Sequence, residues 1–249
     1  MNPINLTENH LEALRLNGIR LSLANRLREA QNDGLGLEQF LGTLLEDEIQ
    51  HRKNSRVARL IRTAGFRSQA ACENIDFTAK RNLERKTVQD LSTSRFIRDG
   101  LNVLISGPCG VGKTHLATAI GNSACRNGYS TLFFRMNTLL EKLLVVRAQG
   151  TYLNFLKRVA GVDCLLLDDF GLKPLLPTQH QDLYDILDER SNGKATIVTT
   201  QLPVANWQEA IPDPVTCEAI TDRLISRAIR VELHGESYRK KVQREIDKH

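Results

Sequence analysis

The fold of this chain can be assigned from residues 105–121, which read ISGPCGVGKTHLATAIG. Gly107, Gly112, Lys113 and Thr114 match the pattern G-x-x-x-x-G-K-[ST], which is typical of loops that bind nucleotide phosphates. The apolar run LNVLIS leads into the motif, and KTHLATAIGNSA has the pattern of a helix leading out of it. A strand, a glycine-rich loop and a helix in this order predict a phosphate-binding loop in an α/β domain.

The motif residues have the chemistry that a nucleoside triphosphate requires. Glycines allow backbone N–H groups to turn towards phosphate oxygens, and a helix N-terminus adds partial positive charge. The Lys113 ammonium can reach the β- and γ-phosphates, and the Thr114 hydroxyl can bind Mg²⁺. We therefore predict ATP and Mg²⁺ as ligands, although Cys109 and His115 can instead be a loop residue and a helix-surface residue without contact to nucleotide. The predicted contacts are Gly107, Pro108, Cys109, Gly110, Val111, Gly112, Lys113, Thr114 and His115.

Short apolar runs alternate with helical patterns from residue 101 onward. The runs are LNVLIS, STLFF, CLLLD, ATIVTT and IRVEL, and each is bounded by turn or helix signals. This alternation predicts a parallel sheet covered by helices on both faces. One strand-helix unit separates the phosphate-binding loop from CLLLD. That spacing is the topology of P-loop ATPases that position their own catalytic acid, whereas the two strands are adjacent in simple nucleotide kinases.

The chain before residue 100 has a different pattern. Residues 1–70 show helical periodicity without a strand pattern, and Gly18 is a candidate interruption of the first helix. Residues 71–99 are a polar connector that is helical in part. We predict a small all-helical N-terminal domain at 1–70, a connector at 71–99 and the α/β domain at 100–249.

Polar side chains follow two of the predicted strands. Asp168 and Asp169 come at the end of CLLLD, where one carboxylate can bind Mg²⁺ and a second can polarise the attacking water. We assign the metal to Asp168 together with Thr114, and the water to Asp169. Gln201 follows ATIVTT, and its amide could orient the same water near the γ-phosphate. The alternatives are an acid pair that caps the next loop and ordinary polarity at a strand end.

Composition restricts the classes of protein that fit. Hydrophobic residues make up 41% and charged residues 25% of the chain, which is typical of a globular protein and not of a disordered one. The five cysteines are odd in number and widely spaced, so neither a disulfide framework nor a zinc site is indicated. The sequence shows neither a secretory signal nor an apolar run of about 18 residues, which predicts a soluble cytoplasmic protein.

A basic segment precedes the connector. Residues 51–67 contain six arginines and lysines and no acid, within a chain of net charge +5. The candidate DNA contacts are Arg52, Lys53, Arg56 and Arg59. Since the three arginines share one helical face and no base-reading motif is visible, we predict contacts to duplex DNA largely without sequence preference. The alternative is a solvated helix whose arginines pair with acids such as Glu46 and Glu48.

Three more arginines lie near the C-terminus, in the segment EAITDRLISRAIRVEL. Arg223, Arg227 and Arg230 are spaced i, i+4 and i+7, so they would share one face of a continuous helix. However, IRVEL is predicted to be a strand that begins at Ile229. We therefore place Arg230 in the sheet, which leaves Arg223 and Arg227 in or near the preceding helix.

The chain as a whole resembles the IstB-like branch of the AAA+ ATPases, which is related to the bacterial helicase loader DnaC. The resemblance spans nearly the whole length and is carried by LRLNGIRLSLANRL, GPCGVGKTHLATAIG, LLLDDFGL, TTQLPVANWQEAI, AITDRLISRAIRVEL and GESYRKK. The phosphate-binding loop and acidic strand are common to the superfamily, whereas QLPVANW, DRL and GESYRK favour the IstB-like branch over DnaC. IstB-like proteins are ATP-dependent helpers of insertion-sequence transposases. The resemblance thus implies an ATPase that acts with DNA, a transposase and further copies of itself.

The resemblance also implies roles for single residues. Lys113 and Thr114 take the Walker A positions, Asp168 the Walker B magnesium position and Gln201 the sensor I position. Arg223 takes the position of the arginine finger that is supplied to a neighbouring subunit.

This chain departs from the AAA+ pattern in three places. Asp169 stands where most AAA+ enzymes have Glu, and Gln201 replaces the more usual Asn; both are compatible with slow or partner-stimulated hydrolysis. Only 16 residues follow IRVEL, which is too few for a typical helical lid. Arg239 in GESYRKK could act as a sensor II residue that contacts the nucleotide, with a solvated basic tail as the alternative.

These observations leave three functional hypotheses. In the first, an oligomeric AAA+ ATPase assembles on DNA with ATP, hydrolyses ATP between subunits and activates or targets a transposase, so that it associates with the bacterial nucleoid when bound to DNA. In the second, the protein is a DnaC-like loader of a replicative helicase. In the third, it is a monomeric nucleotide kinase that phosphorylates a small acceptor.

Overall fold

The structure is a computed structural model that describes residues 3–79 and 81–237, with side chains from residue 6 onward. Its packing divides the chain into two compact units, Met1–Arg59 and Leu60–His249. The domain boundaries predicted after residues 70 and 99 differ from this division and stay predictions. Within the described ranges, every helix is too short or too polar to cross a membrane.

The first unit is helical, as the sequence predicts. Its elements are α1 (Pro3–Ala13), α2 (Asn17–Asp33) and most of α3 (Leu37–Ala64), whose last residues belong to the second unit. Ile19, Leu23 and Leu44 form its buried core. The break between α1 and α2 does not fall at Gly18, which lies within α2. It falls at Arg15, whose φ of 56° is in the left-handed region that ends a right-handed helix.

Gly18 lies in the first turn of α2, where this helix packs against α3. The Glu48 carboxylate accepts hydrogen bonds from the backbone N–H groups of Gly18 at 2.6 Å and Ile19 at 3.2 Å, and from Arg52 Nε at 2.7 Å. An anion at a helix N-terminus satisfies N–H groups that have no partner within the helix. Burial raises the pKa of Glu48, but these three hydrogen bonds offset it and hold the pKa below its usual value. A Cβ atom on Gly18 would lie 2.6 Å from the Glu48 Cα, so the close approach requires glycine.

The second unit is built on a sheet of five parallel strands. They are β1 (Asn102–Ser106), β2 (Thr131–Arg135), β3 (Cys164–Phe170), β4 (Ala195–Thr200) and β5 (Ala228–Glu232). The five predicted strands are therefore confirmed, and Arg230 lies in β5. The spatial order is β2-β3-β4-β1-β5. The loop-bearing β1 and the acidic β3 are not adjacent, because β4 lies between them while β2 occupies the edge.

Helices cover both faces of this sheet. They are α4 (Arg85–Ser92), α5 (Arg95–Arg98), α6 (Lys113–Arg126), α7 (Met136–Ala148), α8 (Tyr152–Gly161), α9 (Pro177–Arg190), α10 (Trp207–Ala210) and α11 (Pro214–Ile225). Leu165 and Leu167 of β3 pack with α7 to α11, whereas Leu166 packs with α4 to α6. This alternation follows from the pleat of a strand. Burial on both faces explains why the strands read as continuous apolar runs.

Residues 71–99, a polar connector by composition, pack onto the same face of the sheet as α6. Val88, Leu91 and Phe96 are at most 3% exposed and belong to the core on that face. Because these apolar side chains are few and all buried, the mostly polar composition of the segment does not indicate that it packs onto the sheet.

A buried arginine lies at the amino-terminal edge of the sheet. Arg190, at the end of α9, is 1% exposed. Its guanidinium donates to the carbonyl oxygens of Val159, Ala160 and Val162 at 2.8 to 3.1 Å, and also to that of Ala195. The first three carbonyls lie at the end of α8, where the helix dipole is negative. Burial lowers the pKa of Arg190 to about 10, so the guanidinium stays charged at neutral pH.

We expect Gly18→Ala to lower the free energy of unfolding by about 1–3 kcal/mol, because the added methyl group would overlap the backbone of α3. Urea unfolding of the full chain, followed by circular dichroism, measures the change. Gly42→Ala is the matched control: Gly42 lies within α3 with nothing within 4 Å of an added Cβ. That control should be neutral or stabilising by up to about 1 kcal/mol. Equal stabilities of the two variants would contradict the close approach at Gly18.

Candidate active site

The glycine-rich loop joins β1 to α6 and has the shape of an anion-binding loop. Gly107 has a φ of 145°, and a Cβ on it would lie 2.2 Å from the Leu233 carbonyl oxygen. Only glycine therefore lets the loop pack against the segment that follows β5. Gly112 has a φ of 101° and precedes the first turn of α6, which has no side-chain cap at Gly112 among the described residues. The N–H groups of such a helix N-terminus can bind an anion.

Lys113 begins α6 and is 6% exposed. Its Nζ donates to the carbonyl oxygens of Gly107 at 2.7 Å and Pro108 at 2.8 Å. Burial lowers the pKa of Lys113, and nearby acidic groups, including Asp169 and Asp168, counteract this in part. The ammonium group thus lies inside the loop, where it can bind phosphate oxygens.

The Asp168 carboxylate is fully buried at the end of β3. Its Oδ1 accepts hydrogen bonds from the hydroxyl groups of Thr114 at 2.8 Å and Thr199 at 2.7 Å. Its Oδ2 has no hydrogen-bond partner within the described residues. The two residues predicted as metal ligands, Thr114 and Asp168, are therefore in direct contact.

Asp169 has an unusual backbone conformation. Its φ of 62° lies in the left-handed region, and the register between β3 and β4 shifts between Leu167 and Phe170. Such strain in a non-glycine residue occurs mainly where the surrounding structure enforces it, often at functional sites. Here the Asp169 N–H donates to Thr199 Oγ1 at 3.0 Å. One threonine hydroxyl thereby contacts both acidic residues.

A cavity of about 580 Å³ extends from the glycine-rich loop across the carboxyl ends of the strands. Its lining residues are Asn74, Asp76, Arg81, Cys109, Gly110, Gly112, Lys113, Thr114, His115, Arg135, Asp169, Leu172 and Gln201. The cavity thus brings together the loop, Asp169 and Gln201, which are far apart in sequence. A volume of this size is in the range of small-ligand sites.

The other predicted nucleotide contacts have different positions. Gly107 and Pro108 contribute the carbonyl oxygens that Lys113 binds, and the Val111 side chain is fully buried in the core. Arg239 lies outside the described residues. The roles of all these residues toward a nucleotide stay predictions.

Sequence reasoning missed six residues of the site, among them Leu172, which lines the cavity shortly after the end of β3. Thr199 lies within the predicted strand ATIVTT, and its two hydrogen bonds to the acidic residues depend on the pairing of β3 with β4. Arg135 ends β2, and the only available signal was its position at the carboxyl end of a strand. Asn74, Asp76 and Arg81 come from the connector, where no local pattern marks them. The Arg81 guanidinium donates to the carbonyl oxygens of Val111, at 3.3 Å, and of Asp76, which places this segment beside the loop.

Arg223 lies near the end of α11, away from this cavity. Asn102, the first residue of β1, donates to its backbone carbonyl at 2.7 Å, so Arg223 is at the amino-terminal edge of the sheet. Its Nε and Nη2 donate to Asp188 Oδ1 at 3.0 and 2.6 Å, and Nη2 also donates to the Tyr184 hydroxyl at 2.9 Å. The guanidinium carbon lies 4.5 Å from the centre of the Tyr184 ring. Arg227 follows the end of α11, so the three C-terminal arginines do not share one helix face.

The predicted DNA contacts lie together on α3 in the first unit. Arg52, Lys53, Arg56 and Arg59 are exposed. Arg52 pairs with Glu48 at 2.7 Å, which is the alternative expected for a solvated helix. This ion pair does not exclude a contact between Arg52 and DNA, because 61% of the Arg52 side chain remains exposed.

Comparison with known proteins gives a family and close relatives. A family model described as "IstB-like ATP binding protein" matches residues 9–246. Two relatives are named as putative ATP-binding proteins of insertion sequences. One, from Sinorhizobium fredii, is 36% identical over 238 residues, 96% of this chain and 97% of that protein. The other, from Mycobacterium tuberculosis, is 34% identical over 232 residues, which cover 93% of this chain and 92% of that protein.

Solved structures share the fold. The DnaC helicase loader has a TM-score of 0.53 at 23% identity, and the match covers 60% of this chain and 87% of DnaC. DnaA from Aquifex aeolicus, bound to AMPPCP, has a TM-score of 0.59 at 22% identity, and the match covers 74% of this chain and 56% of DnaA. The sheet and its helices therefore have the α/β fold that these two proteins share.

We expect Thr199→Val to lower the free energy of unfolding by about 1–3 kcal/mol, because valine keeps the shape but leaves the Asp168 carboxylate and the Asp169 N–H each short of a partner. Binding of ATP in the presence of Mg²⁺ should weaken as well. Thr199→Ser is the matched control, since it retains the hydroxyl group. Urea unfolding and calorimetric titration with ATP measure the two effects. A valine variant as stable as the serine variant would show that the hydroxyl does not position the acids.

Proposed function

The chain belongs to the family of IstB-like ATP-binding proteins, and from this premise we propose that it is an ATPase that assists the transposition of an insertion sequence. It binds duplex DNA largely without sequence preference and assembles with copies of itself. It hydrolyses ATP between subunits and activates or targets a cognate transposase.

The separation of Arg223 from Lys113 is the observation that carries the proposal. Arg223, in α11, lies beside Asn102 at the start of β1, and the glycine-rich loop begins at the other end of this strand. The strand has five residues, so the two sites are separated by about 13 Å at roughly 3.3 Å per residue. Arg223 does not line the cavity of its own subunit. If it acts on the γ-phosphate, it must act on a nucleotide bound by another subunit.

The residues at the carboxyl edge support hydrolysis of ATP. Lys113 would bind the β- and γ-phosphates, and Asp169 would orient the attacking water together with the Gln201 amide, since both side chains line the cavity. Asp169 combines a left-handed backbone with a position in the cavity lining, which supports a functional role for this residue.

The donor set beside Lys113 fits Mg²⁺, because it consists of oxygen atoms. The Thr114 hydroxyl and the Asp168 carboxylate, whose Oδ2 has no hydrogen-bond partner within the described residues, would hold the ion. When bound, Mg²⁺ supplies positive charge to the β- and γ-phosphates.

The exposed basic face of α3 supports binding to DNA. Its arginines and lysine can contact phosphates, which fixes a protein on a duplex without reading its sequence. Such binding weakens steeply with salt, since each phosphate contact releases counterions. The Arg52–Glu48 ion pair would have to share its guanidinium with a phosphate.

We expect the protein to form large assemblies when ATP and duplex DNA are both present. Light scattering after size-exclusion chromatography measures the molar mass with each ligand alone and with both. Lys113→Ala, which removes the phosphate-binding ammonium, is the control and should stay small.

A protein that stays monomeric in every mixture would contradict the proposal, and transfer of phosphate to a small acceptor by this monomer would instead identify a nucleotide kinase. Capture of a replicative helicase rather than the transposase encoded by the same insertion sequence would identify a helicase loader.

We expect Arg223→Ala to bind ATP normally and to lose DNA-stimulated hydrolysis by a factor of about 10³, because a finger acts on the transition state of the neighbouring site. Mixing with Lys113→Ala subunits, which still carry Arg223, should restore part of the activity. Subunits that carry both substitutions are the matched control and should restore nothing. Unchanged hydrolysis by Arg223→Ala alone would remove the finger assignment.

A further inference from the structure

Arg135 is a basic residue of the cavity that the roles assigned above do not use. It is the last residue of β2 and directly precedes α7, so two regular elements fix its backbone. The pairing of β2 with β3 places it in register with Asp168. Its side chain is 45% exposed and lines the cavity with Lys113 and Thr114.

The guanidinium of Arg135 is at the metal end of the cavity. Its Nε lies 4.0 Å from Asp168 Oδ2, the buried oxygen without a hydrogen-bond partner within the described residues. The other oxygen of the same carboxylate accepts from Thr114. Since Thr114 follows the lysine of a Walker A motif, the terminal phosphates of a bound nucleotide would lie beside it.

The charges at this end of the cavity favour a further cation. Asp168 and Asp169 are both here, and ATP would bring additional negative charge to the same region. Lys113 lies inside the loop that follows β1, and two strands, β3 and β4, separate β1 from β2. A planar guanidinium on the β2 side presents several N–H donors with the spacing of phosphate oxygens.

We propose that Arg135 binds the γ-phosphate of the ATP held by its own subunit. The inference rests on the proposed function, because it assumes that the cavity binds ATP. In this proposal Arg135 acts on the nucleotide of its own subunit, whereas Arg223 acts on the nucleotide of the neighbouring subunit. The competing interpretation is that Arg135 only balances the charge of Asp168.

Nucleotide affinities distinguish the two interpretations. We expect Arg135→Ala to weaken the binding of ATP about tenfold or more and to change the binding of ADP by less than about twofold, because only ATP has a γ-phosphate. Arg135→Gln, which keeps much of the side-chain length without the charge, should behave like the alanine variant. Arg135→Lys should recover part of the loss.

Arg126→Ala is the matched control for these titrations. Arg126 is 47% exposed, is paired with Glu73 at 3.0 Å and ends α6, about 20 Å along that helix from the loop at 1.5 Å per residue. It should bind both nucleotides as the unsubstituted protein does. Equal losses for ATP and ADP in Arg135→Ala, or no loss for either, would overturn the inference.

Mixing experiments test whether Arg135 acts within its own subunit. Arg135→Ala subunits should not regain hydrolysis when they are mixed with Lys113→Ala subunits, since every functional loop then still lacks its own Arg135. Recovery of activity would overturn the inference and would leave the proposed function intact. If the unsubstituted protein itself fails to bind ATP, both the proposed function and the inference fail.

Discussion

Two hydroxyl groups, on Thr114 and Thr199, donate to one oxygen of the buried Asp168 carboxylate, and the geometry of the site depends on this contact. Burial of an ionised carboxylate is unfavourable unless hydrogen bonds or charges compensate. Thr114, Thr199 and Asp168 belong to α6, β4 and β3, so a single carboxylate connects three elements. Its second oxygen is buried as well and has no hydrogen-bond partner within the described residues.

The two edges of the sheet have opposite electrostatic character. In parallel strand-helix units, helix N-termini lie at the carboxyl edge and helix C-termini at the amino edge, so the helix dipoles favour anions at the first and cations at the second. Asp168 and the phosphate-binding loop are at the carboxyl edge. Arg190 and Arg223 are at the amino edge, near the ends of α9 and α11. The same connectivity that builds the sheet therefore separates the cavity beside the glycine-rich loop from Arg223.

The strands and the phosphate-binding loop could be predicted because their signals are local. A buried parallel strand reads as a continuous apolar run, and a loop such as the one around Lys113 requires particular residues at fixed spacing. The contacts of Thr199, Arg135 and Arg81 could not be predicted, because they depend on which strands are neighbours and on where the connector packs. The break at Arg15 was missed for a related reason, since the expectation favoured glycine and the structure uses Gly18 for helix packing.

The pairing of β1 with β5 has a consequence for symmetry. The two strands are hydrogen-bonded along their whole length, and Leu233 continues the pairing to Ser106 at the start of the glycine-rich loop. Arg223 and the loop thus lie near opposite ends of the same pair of strands. A contact that joins one end of a subunit to the other end of the next is heterologous, so it repeats with a constant rotation and translation. Copies linked in this way form a closed ring when the rotation divides a full turn evenly and the translation along the axis is zero, and they form an open helix otherwise.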